Sequence, residues 1–202
     1  MKKTILLIAC LCCLTLCISV LGADTAAPKL TILREDSGKN VSLMNLSLFT
    51  MLSEFGLDGL HIGEAVKFTA PKAGWKLRGV QVAGWSGFNN TTKVFPSDKN
   101  FLLEIRDKDL NLLYKFADAQ NGYFLSPTGP VSGVIEIPAL PITGDFYVVF
   151  YDRASMEILR EQDGGTGKSF YFGNGILEPA ERTIAATNQT YKINWMIEAL
   201  GE

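Results

Sequence analysis

The parts from which this chain could build a reaction centre are carboxylates, a few serines and lysines, and one histidine. Asp36-Ser37-Gly38 follows an apolar stretch, as the triplet of an aspartic protease does. That chemistry needs two carboxylates sharing one proton, and the chain holds no second Asp-Ser/Thr-Gly, so the triplet reads as a turn. Gly84-Trp85-Ser86-Gly87 begins like a nucleophile elbow, but position 88 is Phe where the pattern requires Gly. His61, set between Leu60 and Ile62, is the sole histidine available as a base. Gly167-Lys168-Ser169 ends like a phosphate-binding loop. The glycine that should lie five residues before Gly167 is instead Gln162, and Ser169-Phe170-Tyr171-Phe172 reads as strand where a helix should receive the anion.

Metal chemistry has few parts as well. All four cysteines (Cys10, Cys12, Cys13, Cys17) fall in the first 17 residues, so a thiol nucleophile, a Cys-based zinc site and a disulfide framework are excluded from the body of the protein. Asp107-x-Asp109-x-Asn111 has oxygen ligands at calcium-loop spacing, with Asp118 at the twelfth position. The sixth position is Leu112 rather than Gly, so a hairpin turn is the better reading, and no cofactor is expected apart from calcium elsewhere in the fold. A glycosidase needs two acids, which any strands could supply, and nothing in the sequence singles out a pair.

Binding chemistry is easier to find. Trp85, Phe88, Asn89 and Asn90 fall at the end of a strand and in the polar loop after it. Aromatic faces stack on sugar CH groups and amides bond the hydroxyls, so Trp85, Phe88 and Asn89 form a candidate carbohydrate-binding set. The competing reading has Trp85 packed beneath the loop as a strand end. Asn40, Asn45, Asn89, Asn90 and Asn188 each open an Asn-x-Ser/Thr sequon, five of the ten asparagines. Adjacent Asn89 and Asn90 would not both carry glycans, which leaves Asn40, Asn45, Asn90 and Asn188 as the candidate attachment sites. Loops shared by Asn and Ser/Thr would produce the same pattern without glycosylation.

The compartment follows from the N-terminus. Met1-Lys2-Lys3 precedes an uncharged run from Thr4 to Gly22, and the first acid is Asp24. Basic, apolar, then small residues is the order of a secretory signal, with cleavage after Gly22 or Ala23. The run is also long enough to span a bilayer core as a retained anchor, and Leu7-Ile8-Ala9-Cys10 has the residue types of a lipobox. All three routes place residues 23–202 outside the cytoplasm, at the cell surface or beyond. Removing 22 of 202 residues leaves 180; removing Lys2 and Lys3 from 19 basic residues leaves 17 against 21 acids. That mild acidity gives no reason to expect nucleic acid, and a membrane is a partner only through a retained anchor. A surface protein or a glycan is the expected partner.

The elements that must position these residues are strands. Lys29–Arg34, Glu64–Ala70, Trp75–Trp85 and Lys168–Phe172 read as strands, and period-2 alternation marks a hairpin over 101–116, Val131–Ile137 closed by Pro138, and Tyr191–Ile197. Asp145–Asp152 is apolar on both faces, as a covered central strand would be. Asn174-Gly175 predicts a tight hairpin. Leu48, Met51, Leu52 and Phe55, followed by Gly56, predict one short helix over 47–55. Nine or ten strands and one helix predict an all-β chain: an antiparallel, jelly-roll-like β-sandwich forming a single domain over 28–200, behind a signal peptide over 1–22. A core of this size holds itself without disulfides.

Several of these stretches resemble the accessory β-sandwich modules of secreted bacterial and archaeal surface proteins and proteases. The residues concerned are Gly63–Pro71, Trp75-Lys76-Leu77 running into Val80-Gln81-Val82, the 101–113 hairpin, Asp145–Phe150, Lys168–Tyr171 and Asn194–Ile197. Such modules open with an Asp-Asp-Gly turn; here Glu35-Asp36-Ser37-Gly38 stands in its place, and 42–60 is an unusually apolar insertion. The resemblance implies a non-catalytic attachment, envelope or accessory role and transfers no catalytic residue. A carbohydrate-binding module and a secreted hydrolase, such as a glycoside hydrolase, are the alternatives.

Overall fold

The computed structural model describes residues 29–153 and 155–202, and the signal-like segment lies outside them. The described chain is an antiparallel β-sandwich. One sheet has seven strands: β1 (Thr31–Leu33), β2 (Leu46–Phe49), β4 (Lys76–Trp85), β7 (Val131–Pro141), β9 (Glu157–Glu161), β14 (Asn194–Trp195) and β15 (Ile197–Gly201). The other has six: β3 (Gly63–Thr69), β5 (Asn100–Asp107), β6 (Leu112–Ala119), β8 (Asp145–Tyr151), β10 (Ser169–Gly173) and β11 (Ile176–Pro179), in the order β11-β10-β3-β8-β5-β6. β12 (Glu181–Ile184) and β13 (Gln189–Lys192) pair as a separate hairpin.

Alternation decides which side chains meet between the sheets. Val66 and Phe68 on β3, Phe101, Leu103 and Ile105 on β5, and Phe146, Val148 and Phe150 on β8 face Leu77, Val80 and Val82 on β4 and Trp195 on β14. All of these are completely or almost completely buried. The outer face of the six-stranded sheet carries a smaller apolar cluster of Ala65, Leu102, Tyr147, Val149, Tyr151 and Phe172. β8 is therefore apolar on both faces, as its sequence predicts.

The departures from expectation have local causes. The predicted helix over 47–55 divides: Leu46–Phe49 pairs with β9 as a strand, and only Met51–Phe55 coils, as α1, with Thr50 at its N-cap. A 3-10 turn, Gly56–His61, continues it, and a four-residue helix, α2 (Asn121–Phe124), adds one more turn. β7 runs past Pro138 to Pro141 because Pro138 faces a register shift in β4, between Leu77 and Gly79, where no ladder bond is required. The predicted strand over 191–197 breaks in two places. Met196 switches the chain from β9 to β4: its N–H donates to the Leu159 carbonyl, and its own carbonyl accepts from the Ala83 N–H. Asn174 and Gly175 both have positive φ (53° and 79°), the turn that their dipeptide predicts.

Candidate functional site

β4 ends at Trp85, and the next eleven residues form a loop outside both sheets. Its backbone is held by its own polar groups. The Asn89 side-chain carbonyl accepts from the Thr91 and Thr92 N–H groups (2.9 and 3.0 Å), and the Asn89 N–H donates to the Val94 carbonyl (3.0 Å). Phe88 and Phe95 pack ring to ring with centroids 4.7 Å apart. The result is an open depression of about 450 Å³ lined by Ser86 to Asn89, Thr92 and Val94 to Pro96. No titratable side chain lines it.

The sequence-predicted set is only partly brought together. Phe88 and Asn89 share this depression, whereas Trp85 lines a neighbouring one of about 280 Å³ with Thr50, Ser155 and Met156. The two share Ser86 and Gly87 as a common wall. Trp85 is half-buried, and its indole N–H donates to the Ser126 carbonyl at 2.8 Å, which fixes the ring against the loop after α2. Phe95, Thr92 and Val94 belong to the depression without having been anticipated. The one signal for them was an aromatic seven residues after Phe88, which sequence spacing does not tie to a ring contact.

The remaining motifs settle into structural roles. Asp36 Oδ1 accepts from the Gly38 N–H at 2.8 Å, which makes the Asp-Ser-Gly triplet a turn. The Ser86 hydroxyl donates to the Phe124 carbonyl at 3.1 Å rather than to a histidine. Ser169 opens β10, and its hydroxyl accepts from the Trp195 N–H at 2.9 Å, so no helix faces the Gly167 loop. Asp107 closes its hairpin by accepting from the Asp109 and Asn111 N–H groups (both 2.9 Å) and from the Asn111 amide. The Asn111 bond is the main cause that lowers its pKa. Asp118 lies at the far end of β6 and accepts from Tyr123. Among the described residues no three His, Cys, Asp or Glu side chains cluster as a metal site. The sequon asparagines Asn40, Asn45, Asn89, Asn90 and Asn188 are all exposed.

Several carboxylates in other parts of the fold are tied to the scaffold. Glu104 is clamped by Arg106 (2.7 and 2.9 Å) and accepts from the Tyr151 hydroxyl (3.2 Å). Burial first, and the Glu104 charge second, push the Tyr151 pKa up. Glu161 accepts from Ser37 and from the Asn194 amide. On the outer face of the seven-stranded sheet, a groove of about 350 Å³ brings Glu136 and Glu202 to one place, with Arg78 forked onto Glu202 at 2.6 and 2.8 Å. Glu64 and Asp152 lie in the core, both completely buried. Glu64 has no hydrogen-bond partner for either oxygen among the described residues, while Asp152 Oδ2 accepts from the Met51 N–H at 3.0 Å.

Compared with known proteins, the chain matches no family model and no curated protein. Among solved structures it is similar to the clostridial cysteine protease Cwp84 after propeptide cleavage, with 11% identity over 88% of this chain and 41% of that one, at a TM-score of 0.49. It is also similar to the cysteine protease and lectin-like domains of Cwp84, a surface layer associated protein of Clostridium difficile. There the identity is 14% over 70% of this chain and 32% of that one, at a TM-score of 0.40. The chain thus spans less than half the length of either, and both alignments are too loose to assign it a function.

Proposed function

We propose that this chain is a non-catalytic recognition module of the cell exterior. The observation that carries this reading is the contrast between its carboxylates and its open depression. Glu64 and Asp152, both completely buried, sit where no substrate reaches. The depression at Ser86–Pro96, which a ligand can enter, offers rings, an amide and a hydroxyl but no acid or base. General acid–base catalysis requires a proton donor or acceptor within hydrogen-bond reach of the reacting atom. A surface without one binds.

Carbohydrate is the ligand class that the lining favours. Phe88 and Phe95 supply apolar faces, while the exposed Asn89 and Thr92 supply amide and hydroxyl. Trp85 then belongs to the neighbouring depression and is not the stacking ring. The exterior location rests on the signal-like N-terminus, and among the described residues no helix is long and apolar enough to cross a membrane. A glycan array probed with the protein and with its Phe88→Ala variant tests the reading. The expected result is binding to a defined glycan class that Phe88→Ala abolishes. Binding that survives Phe88→Ala, or no binding at all, removes the carbohydrate assignment.

A further inference from the structure

The apolar insertion over 42–60 ends in a feature that the recognition loop does not use. Helix α1 and the 3-10 turn after it hold Leu52, Leu57 and Leu60 in solvent, 42%, 77% and 41% exposed, and Ile176 of β11 is 60% exposed. Phe55, Ile62, Tyr171 and Ile176 line a pocket of about 190 Å³ between these two segments. The leucines are not exposed for want of a fixed backbone. Met51 is completely buried, and its N–H is tied to Asp152. The Thr50 hydroxyl caps α1 by accepting from the Leu52 N–H. The Met51 backbone approaches Gly59 so closely that a β-carbon there would not fit, and Phe55 packs edge-on against Tyr171 with centroids 5.1 Å apart. A firmly anchored element that keeps leucines in water is the arrangement of an interaction surface.

Charge selects the occupant. Residues 51–62 and 173–179 contain Glu54, Asp58 and Glu178 and no Lys or Arg. Arg160, whose pKa burial lowers against the opposing effects of Tyr171 and Glu54, is turned onto the ring of Phe49 at 4.3 Å. The apolar patch therefore has an acidic rim. Such a rim repels a second copy presenting the same patch, and it repels anionic lipid. It complements a basic surface.

We propose that this end of the sandwich docks a partner protein through a segment that sets apolar side chains between Lys or Arg residues. The site shares no residue with the Ser86–Pro96 depression, so loss of glycan binding at Phe88 leaves it standing. The test is chemical-shift mapping of the purified protein with the amphipathic peptide amide Lys-Leu-Leu-Lys-Leu-Leu-Lys as probe. The expected result is perturbation confined to amides 52–62 and 174–178. Affinity should fall at least about tenfold, or about 1.4 kcal/mol, when Glu replaces Lys in the peptide, and equally in a Leu57→Asp/Ile176→Asp variant. Both substitutions fall on exposed side chains, and an unchanged Tm verifies that the variant is folded. Perturbations scattered over the surface, equal binding of the acidic peptide, leucine-dependent binding to phosphatidylcholine vesicles, or a dimer abolished by Leu57→Asp would each overturn the proposal.

Discussion

Glu64 offers the sharpest test of how this core is built. It points inward from β3, paired across β8 with Phe150 and across β10 with Tyr171, and neither of its oxygens has a hydrogen-bond partner among the described residues. Burial first, and the nearby Asp152 second, raise its pKa well above the ordinary carboxylate value; the backbone amides of Glu64 and Asp152 offset this in part. Tyr171, beside it, is pushed up to about 12, mainly by the same burial. The folded state therefore keeps a proton that the unfolded chain releases near pH 4.3. The contribution of Glu64 to stability is full below that pH and is lost as pH rises through the folded value, at about 1.4 kcal/mol per pH unit within the window. Glu64→Gln preserves the volume and cannot ionise, so it should flatten this slope. Glu64→Leu removes a buried polar group left without a partner, worth about 1–3 kcal/mol at pH 7. For a domain of this size that corresponds to a rise in Tm of about 2–12 °C. Denaturant melts from pH 4 to 8 provide the measurement. If Glu64→Gln keeps the wild-type slope and Glu64→Leu lowers Tm at pH 7, the carboxyl has partners that this account lacks, and the reasoning fails.

Three further outcomes follow from the same packing. Trp195→Ala should cost about 3–5 kcal/mol by denaturant titration, because the ring is buried against Phe49 and Tyr171 and its N–H donates to the Phe170 carbonyl at 2.9 Å. In a host that N-glycosylates, glycosidase treatment followed by peptide mass analysis should find glycans at Asn40, Asn45, Asn188 and one of Asn89 and Asn90, all of which are exposed, but never on both neighbours. Calcium should leave the Asp109 and Asn111 amide signals in place, since Asp107 already spends its oxygens on that turn and Asp118 lies at the other end of β6. A calcium-dependent shift at those amides would return the loop to the list of metal sites.

Much of the fold is legible in the sequence because most strands bury one face. Lys76–Trp85 and Val131–Ile137 alternate, and Asp145–Tyr151 does not, for the reason that it lies between two apolar clusters. What was hidden depends on tertiary partners. Leu46–Phe49 carries a helical spacing with Met51 and Phe55, yet β9 recruits it as a strand, and nothing local reveals that pairing. Glu157–Glu161 is too short and too polar to announce itself; its buried acid, Glu161, acquires meaning only against Ser37 and Asn194. The candidate site was half legible. Phe88 and Asn89 fall in a polar loop that sequence marks plainly, but the Ser126 carbonyl that turns the Trp85 indole away comes from a loop 41 positions later. Glu64 shares a strand face with Val66 and Phe68, and that this face is the inner one follows from the register with β8.

The most direct test of a recognition site without catalysis is incubation of the protein with the glycan it binds best, followed by mass analysis of the recovered sugar and by binding measurements on Phe88→Ala. The account predicts that the glycan is recovered intact after prolonged incubation and that Phe88→Ala no longer holds it. Recovery of a shortened glycan, with cleavage persisting in Phe88→Ala, would contradict it.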